Sequence, residues 1–205
     1  MPGYFEAAHG AGGGAVIALD EVEISILRSL AVQLLELIGP GGSNGADEED
    51  PLAALMADGP SEPPSDPVLA RLFPDAYGGP GEAEGPENRE LSAEFRRFTE
   101  EELRAGKRER LLAMVRGLDA AGRDARGGGA GAGGAVLALK PEESRQWLTA
   151  LNDLRLAIGT RLGITDEETS DRLLQLPDRD PDKPLVMAYL WLGGLQESLV
   201  ETLLP

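Results

Sequence analysis

The fold is decided by the stretch AVIALDEVEISILRSLAVQLLELIGP, which occupies residues 15–40. Its first five residues form a short apolar run with branched side chains, which predicts a β-strand. Asp20 can cap the segment that follows, where apolar residues recur at helical spacing. Gly39 and Pro40 then give a stop signal, so the stretch predicts a strand followed by a helix.

The same order of elements returns in the second half of the chain. Residues 135–139 read AVLAL and repeat the pattern of residues 15–19 almost residue for residue. Both runs follow glycines and precede a helix, the second of which is predicted over 141–163. We expect the two strands to pair in a small sheet. Duplication of the unit and convergence on a common strand pattern would each explain the repeat.

Four further helices are predicted from apolar spacing and capping signals. They lie within residues 66–77, 88–120, 166–176 and 185–204. Asp66 followed by Pro67 opens the first of them. Thr165 with Glu168 predicts a capping box at the start of the third. The predicted fold class is mainly α: a helical single domain over residues 1–205, with two short β-strands that form a minor sheet (α+β).

The net charge is strongly negative and unevenly distributed. The 205 residues include 36 acidic and 19 basic ones, and 19 − 36 gives −17. Residues 40–90 hold twelve acidic and two basic side chains, a net −10, among many Gly and Pro. Such a composition buries too little apolar area to offset chain entropy, so it predicts a disordered acidic Gly/Pro-rich insert at 40–65 and 78–88. Residues 127–134 (GGGAGAGG) predict a Gly-rich linker loop.

Composition also excludes several classes of function. Binding to nucleic acid or to an anionic membrane needs a basic surface, so we expect no direct nucleic-acid partner and no membrane. The sequence has no cysteine and one histidine, His9, which excludes a disulfide framework, a thiolate nucleophile and a His-rich metal centre. Because no signal peptide and no apolar run of bilayer length is seen, we expect a cytoplasmic protein.

One acidic motif comes close to a metal site. Asp178, Asp180 and Asp182 have the alternating spacing that opens a calcium loop. Lys183 stands where that loop requires glycine, and Tyr189 stands where it requires a bidentate glutamate. We therefore expect neither a metal nor a cofactor.

Four blocks carry a resemblance to a known family. They are DPVLARLFPDAY (66–77), EFRRFTEEELRAGKRE (94–109), WLTALNDLRLAIGTRLGI (147–164) and AYLWLGGLQESLV (188–200). Together they resemble the actinobacterial family of domains of unknown function numbered 2017. The resemblance implies a cytoplasmic bacterial protein with no assigned enzyme chemistry and transfers no catalytic residues. Cysteine-based redox switching in a relative could not operate here, because this chain has no cysteine.

The third block contains a cluster of polar residues on one predicted helix: Asn152, Asp153, Arg155 and Arg161. Asn152, Arg155 and Gly159 share one face of that helix, and the missing side chain of Gly159 lets another backbone approach. In one interpretation, Arg155 grips an anion or a partner's carboxylate while Asn152 orients it. In the other, the charged residues pair with neighbouring helices in a structural network.

Two other helices offer candidate contacts for a partner. Arg71 and Tyr77 lie on the short helix predicted within 66–77, which is either a docking element or a clasp that packs on the core. Arg96 and Arg97 lie on the long helix, where glutamates at helical spacing indicate a salt-bridged face or a protein contact.

The last helix is richer in apolar side chains than one packing face needs. It is either a central core helix or part of a two-fold interface, which makes a homodimer the oligomer to consider. The candidate residues for self-association are Leu190, Trp191, Leu195 and Leu199.

Two functions follow from these patterns. The first is a non-enzymatic intracellular regulatory or adaptor protein that acts through protein–protein contacts, with the transcription or proteolysis machinery as partners. The alternative is a small-molecule sensor or enzyme with a polar site around Asn152, Asp153 and Arg155. A concave pocket in which these groups converge would favour the alternative.

Overall fold

The computed structural model describes residues 3–8, 13–40, 59–78, 85–127 and 134–204. Some of the predictions above lie outside the described residues. They concern the role of the single histidine, most of the acidic insert and most of the Gly-rich linker.

Three strands and six helices form within the described residues. The strands are β1 (Glu6–Ala7), β2 (Ala15–Leu19) and β3 (Ala135–Leu139). The helices are α1 (Glu21–Ile38), α2 (Pro67–Leu72), α3 (Pro86–Gly127), α4 (Pro141–Arg161), α5 (Glu167–Leu174) and α6 (Lys183–Leu203). The fold is mainly α with a small sheet, as the sequence predicted.

The sheet has the order β1–β2–β3 and is antiparallel throughout. The predicted pairing of the two similar strands is confirmed, with Ala15 opposite Leu139 and Leu19 opposite Ala135. β1 was not predicted, because two residues are too few to show a strand pattern. Side chains of β3 alternate between buried and exposed, so one face of the sheet packs on the helices.

The core lies between that face of the sheet and the long helices. α1 packs on α3, while α4 packs on α2 and α6. The fully buried large side chains of this core are Phe73, Ile17, Leu19, Leu27, Leu111, Met114, Leu118, Leu151, Leu154, Leu192, Leu195 and Leu199. Leucine dominates because few aromatic residues are available in the sequence.

Capping residues set where two of the helices begin. Asp20 and Glu23 form a reciprocal capping box at α1, with both hydrogen bonds at 2.8 Å. At α5 the predicted Thr165 cap is wrong, because the Asp166 carboxylate is the group that accepts from the Thr169 N–H, at 2.7 Å. Hydrogen bonds from Thr169 and Thr165 hold the pKa of Asp166 below its ordinary value.

α3 is longer than predicted and its two ends are packed in opposite ways. In the first half the buried side chains are polar: Ser92, Arg96 and Glu100. The large apolar side chains of that half, Leu91, Phe95, Phe98 and Leu103, are exposed. In the second half Leu111, Met114 and Leu118 are fully buried, as is usual for an amphipathic helix.

The segment from Asp66 to Tyr77 forms a clasp on the core, the second of the two predicted alternatives. Leu72 and Phe73 are buried in the core. Arg96 of α3 holds the segment, since it donates to the Phe73 carbonyl at 3.1 Å and pairs with Asp75 at 2.7 Å.

Arg96 also pairs with Glu100 one turn further along α3. Burial lowers the pKa of Arg96, but its hydrogen bonds to Asp75 and Glu100 outweigh burial and leave the pKa above its ordinary value.

Two other arginines of α3 satisfy the last carbonyls of α1. Arg104 donates to the Ile38 carbonyl at 2.9 Å, and Arg108 donates to the carbonyls of Leu35 and Gly39. The last turn of α1 contains no basic residue of its own. Cations from α3 therefore complement the negative end of the α1 dipole.

Candidate functional site

A polar pocket lies where α2, α4 and α6 meet. Its volume is about 180 Å³, and it is open to solvent on one side. The residues that line it are Arg71, Asn152, Arg155, Leu156, Gly159, Thr160, Ile164 and Tyr189. Three of the residues predicted from sequence as contacts, Arg71, Asn152 and Arg155, are thus brought together.

Arg155 is fixed by α6. Its guanidinium lies over the ring of Tyr189, with the central carbon 5.0 Å from the ring centroid, which is a cation–π contact. The guanidinium also packs against Gly193, one turn after Tyr189, where a Cβ would lie 3.6 Å from Arg155 Nε, an ordinary contact distance. Nε is itself buried and donates to no described atom.

A short chain of hydrogen bonds orients the two polar residues of α4. Arg155 Nη1 donates to Gln196 Oε1 at 3.3 Å, and Gln196 Nε2 donates to Asn152 Oδ1 at 3.3 Å. Both distances are near the upper limit for a hydrogen bond, so a stronger acceptor can compete for Arg155. Asn152 keeps its own amide hydrogens for another acceptor.

Gly159 allows a close approach, as its missing side chain predicted, but the group that approaches is a side chain and not a backbone. A Cβ at Gly159 would lie 3.3 Å from Tyr189 Cε2, so the close approach is made by an aromatic ring instead of a backbone. The Tyr189 ring is thus held between Gly159 and Arg155.

The pocket is electropositive although the whole chain is acidic. Arg71 and Arg155 contribute two positive charges, and none of the described lining residues is acidic. Arg71 is exposed and reaches the pocket from α2, whose position is set by the clasp. The pocket is smaller than the usual site for a cofactor or a drug-sized ligand, which takes about 300 Å³ or more. Its size and charge suit a single carboxylate or another small anion.

Two predicted site residues on α4 do not face the pocket. Asp153 is 2% exposed and pairs with Lys107 of α3 at 2.6 Å. This ion pair links α4 to α3. Arg161 is exposed at the end of α4, beside the apolar side chains of α1. For Asp153 the structural-network interpretation fits the observed geometry better.

The other predicted contacts lie on or beside α3. Arg96 is 4% exposed within its ion pairs and is therefore not available to a partner. Arg97 is exposed. The Tyr77 ring is about half-exposed and stacks edge-on against Phe95, with ring centroids 6.2 Å apart. The sequence could not show which of the adjacent residues Arg96 and Arg97 is buried and which is exposed.

The residues predicted for self-association divide between core and surface. Leu195 and Leu199 are fully buried within the chain. Leu190 is half-exposed, and Trp191 lines an open apolar groove of about 600 Å³ between α1 and α6. Self-association through this helix stays a prediction, and its surface would have to come from the groove.

Tyr189 and Thr160 are pocket residues that sequence reasoning missed. Tyr189 lies in the run AYLWL, which reads as apolar core. The available signal was its spacing of four residues from Gly193, because a small residue one turn away leaves room for a group that stacks on the ring.

Two features are absent from the described residues, a cluster of metal ligands and a helix that could span a membrane. Among them, no three potential metal-ligating side chains come together. None of the helices in the described ranges is long and apolar enough to cross a membrane.

Comparison with known proteins gives a family and named relatives. The family described as "Domain of unknown function (DUF2017)" matches residues 5–203. The chain is 30% identical over 192 residues to proteins named "Oxidative stress regulator AosR" from Mycobacterium bovis and Mycobacterium tuberculosis, which covers 89% of this chain and 78% of each relative.

A third relative is named "Putative oxidative stress regulator AosR" and comes from Mycobacterium leprae. It is 30% identical over 208 residues, which covers 97% of this chain and 86% of that protein. No solved structure matches the chain significantly.

Proposed function

The chain belongs to the DUF2017 family, and from this premise we propose that it is an intracellular regulatory protein that acts by binding another protein. The names of its relatives support a regulatory role. Catalysis is not part of the proposal, and neither the transcription nor the proteolysis machinery is preferred as the source of the partner.

The observation that carries the proposal is the electropositive pocket. Two arginines, Arg71 and Arg155, reach it from different helices, and no acidic side chain lines it among the described residues. Guanidinium groups bind carboxylates in charge-assisted hydrogen bonds. We propose that the pocket receives an Asp or Glu side chain, or a C-terminal carboxylate, of the partner protein.

The chemistry of the pocket supports binding over catalysis. The carboxylate that a polar site around Asn152 and Arg155 would use as a general base belongs to Asp153, which does not line the pocket and is paired with Lys107 of α3. Asn152 and Arg155 recognise charge and shape, and neither is suited to proton transfer at neutral pH.

The names of the relatives refer to oxidative stress, and this chain has no cysteine with which to form a disulfide. We propose that any oxidative signal reaches it through the partner protein. The chain would then respond to the partner's state, since its own thiol chemistry is absent.

Charge reversal at Arg71 tests the proposal. The variant Arg71→Glu and the wild type are compared by in-cell cross-linking and mass spectrometry in the native host. We expect the wild type to give a stoichiometric partner and the variant to lose it. The thermal midpoint should not change, because Arg71 is exposed. Arg123→Glu, at an exposed position on α3, is the matched control and should keep the partner.

Two results would contradict the proposal. One is the absence of any stoichiometric partner of the wild type. The other is a partner that Arg71→Glu retains at the wild-type level.

The volume of the pocket also favours a second candidate function, a sensor of a small anion. About 180 Å³ accommodates a small carboxylate or inorganic phosphate. Calorimetric titration with succinate and with phosphate tests it. Binding that Arg71→Glu abolishes would support the sensor, and no heat with either probe at millimolar concentration would dismiss it.

A further inference from the structure

The first half of α3 presents a surface that the pocket does not explain. We call it the outer face: the apolar side chains Leu91, Phe95 and Phe98, together with Glu87, Glu94, Glu101 and Glu102. Phe98 is 75% exposed, and Leu91 and Phe95 are 40% and 45% exposed. The three apolar residues follow one another at i, i+4 and i+7, so they form one continuous stripe along the helix.

This exposure is not forced by the amino-acid pattern. A rotation of the helix about its axis would bury Phe95 and Phe98 and expose Arg96 and Glu100, as ordinary amphipathic packing would. The fold does the opposite and fixes Arg96 inside by ion pairs on both sides. Isolated exposed apolar residues need no explanation, but a contiguous stripe of aromatic and aliphatic side chains marks an interaction site.

The charge around the stripe is negative. Glu87, Glu94, Glu101 and Glu102 are all exposed along it, and Arg97 lies at one edge. The outer face is therefore an apolar stripe within an acidic surrounding. A second copy of the chain would bring the same four glutamates opposite one another, so self-association through this face is opposed by like charge.

We propose that the outer face of α3 docks a basic amphipathic helix of the partner protein. The apolar side of that helix would cover Leu91, Phe95 and Phe98, and its Lys or Arg residues would pair with the flanking glutamates. This inference rests on the proposed function and adds the chemistry of the partner segment. It also divides the interface into two parts, because the pocket recognises an acidic group and the outer face recognises a basic helix.

Site-specific photo-cross-linking tests the inference in the native host. Phe98 is replaced by p-benzoylphenylalanine in the full chain, and Val136, which is 70% exposed on β3, is replaced in the same way as the control. We expect position 98 to cross-link to a partner peptide whose Lys or Arg residues flank apolar residues at helical spacing. Position 136 should give no such product.

A synthetic peptide tests the chemistry in isolation. The probe is an 18-residue peptide of Leu and Lys with Leu at i, i+3, i+4 and i+7, and binding to the full chain is measured by fluorescence anisotropy. We expect the double variant Phe95→Ser/Phe98→Ser to weaken binding about tenfold or more. A peptide with every Lys replaced by Glu should not bind.

Neutralising glutamates at two different places distinguishes attraction to the outer face from attraction to the net charge of the chain. Glu94→Gln/Glu101→Gln/Glu102→Gln should weaken binding of the Lys peptide and flatten its salt dependence. Glu168→Gln/Glu197→Gln/Glu201→Gln removes the same number of charges from exposed positions elsewhere and should bind like the wild type. Equal weakening by the two triple variants would overturn the inference, because it would show attraction to net charge alone.

The failure of this inference can be told from the failure of the proposed function. Cross-links from position 98 to this chain itself, to a second copy, or to a segment without Lys and Arg overturn the docking helix. If Arg71→Glu still abolishes partner recovery in those cells, the regulatory function stands without it. If the wild type recovers no partner, both proposals fall together.

Discussion

The two halves of α3 are packed in opposite ways although they belong to one continuous helix. The second half buries Leu111 and Met114 and stabilises the fold by removing apolar area from water. The first half buries Arg96 and Glu100 and leaves Phe98 in solvent. The second half of α3 thus stabilises the fold. The first half positions other groups, because the ion pairs buried in it hold the clasp and leave the aromatic side chains facing outward.

The largest expected effect is in the second half. Leu111→Ala removes a fully buried side chain and should lower the free energy of unfolding by about 3 to 5 kcal/mol, the sum of lost burial and a new cavity. Leu112→Ala is the adjacent control, since Leu112 is 39% exposed and should change stability by less than about 1 kcal/mol. Urea unfolding measures both. Equal losses would remove the distinction between core and surface in this half.

Next in size is the buried ion pair of the first half. Arg96→Met leaves Asp75 without its partner and weakens the clasp, so we expect a loss of about 2 to 3 kcal/mol, less than for an isolated pair because Glu100 keeps Arg104. Arg96→Met/Asp75→Asn should recover part of that loss, because Asp75 is the carboxylate that Arg96→Met leaves without a partner. Chemical denaturation of the three proteins measures it. A double variant less stable than Arg96→Met would argue that the cluster is a net source of stability.

A smaller effect is expected where the two halves join. Arg108→Met removes the donor to the Leu35 and Gly39 carbonyls and should cost about 1 to 2 kcal/mol. Faster hydrogen exchange at the end of α1 should accompany it, because those carbonyls close the helix. Arg116→Met, at an exposed position on α3, is the control. Unchanged exchange at α1 in Arg108→Met would show that the contact does not stabilise that helix end.

The smallest effect is expected at the outer face. Phe98→Ser should change the free energy of unfolding by no more than about 0.5 kcal/mol, since the ring is mostly exposed in the folded chain. Thermal and urea unfolding of the isolated protein measure it. A loss above 2 kcal/mol would mean that the ring packs within the chain, and the contrast between the halves would disappear.

The sequence was sufficient for the elements whose signals are local. The strand at residues 15–19, its pairing with residues 135–139 and the Asp20 cap all follow from short patterns that the rest of the fold supports. The cap of α5 was misassigned because Thr165 and Asp166 are adjacent and both are good caps. Local sequence signals do not distinguish well between two adjacent residues that could each cap a helix.

The sequence could not predict which polar side chains of a helix point into the core. Arg96 and Asp153 look like surface residues in sequence, and each is buried because a partner far along the chain neutralises it. The pocket was predicted in part, since Asn152 and Arg155 share a helix face, but Arg71 and Tyr189 join them only through the tertiary packing of α2 and α6. Long-range pairing of this kind leaves no periodic trace in the sequence.

Residues far apart in the sequence meet in the folded protein, and this has a consequence for its biosynthesis. The Phe5 N–H donates to Ser198, 193 residues later, and β2 pairs along one edge with β3. While the ribosome is still synthesising the second half of the chain, one edge of β2 is therefore unpaired. The Phe5 N–H likewise has no acceptor until the last helix has formed. Unpaired edges are where nascent chains aggregate or recruit chaperones. We expect the protein to complete its fold only after the last helix has left the ribosome, and a ribosome stalled before residue 135 to hold a chain that stays sensitive to protease.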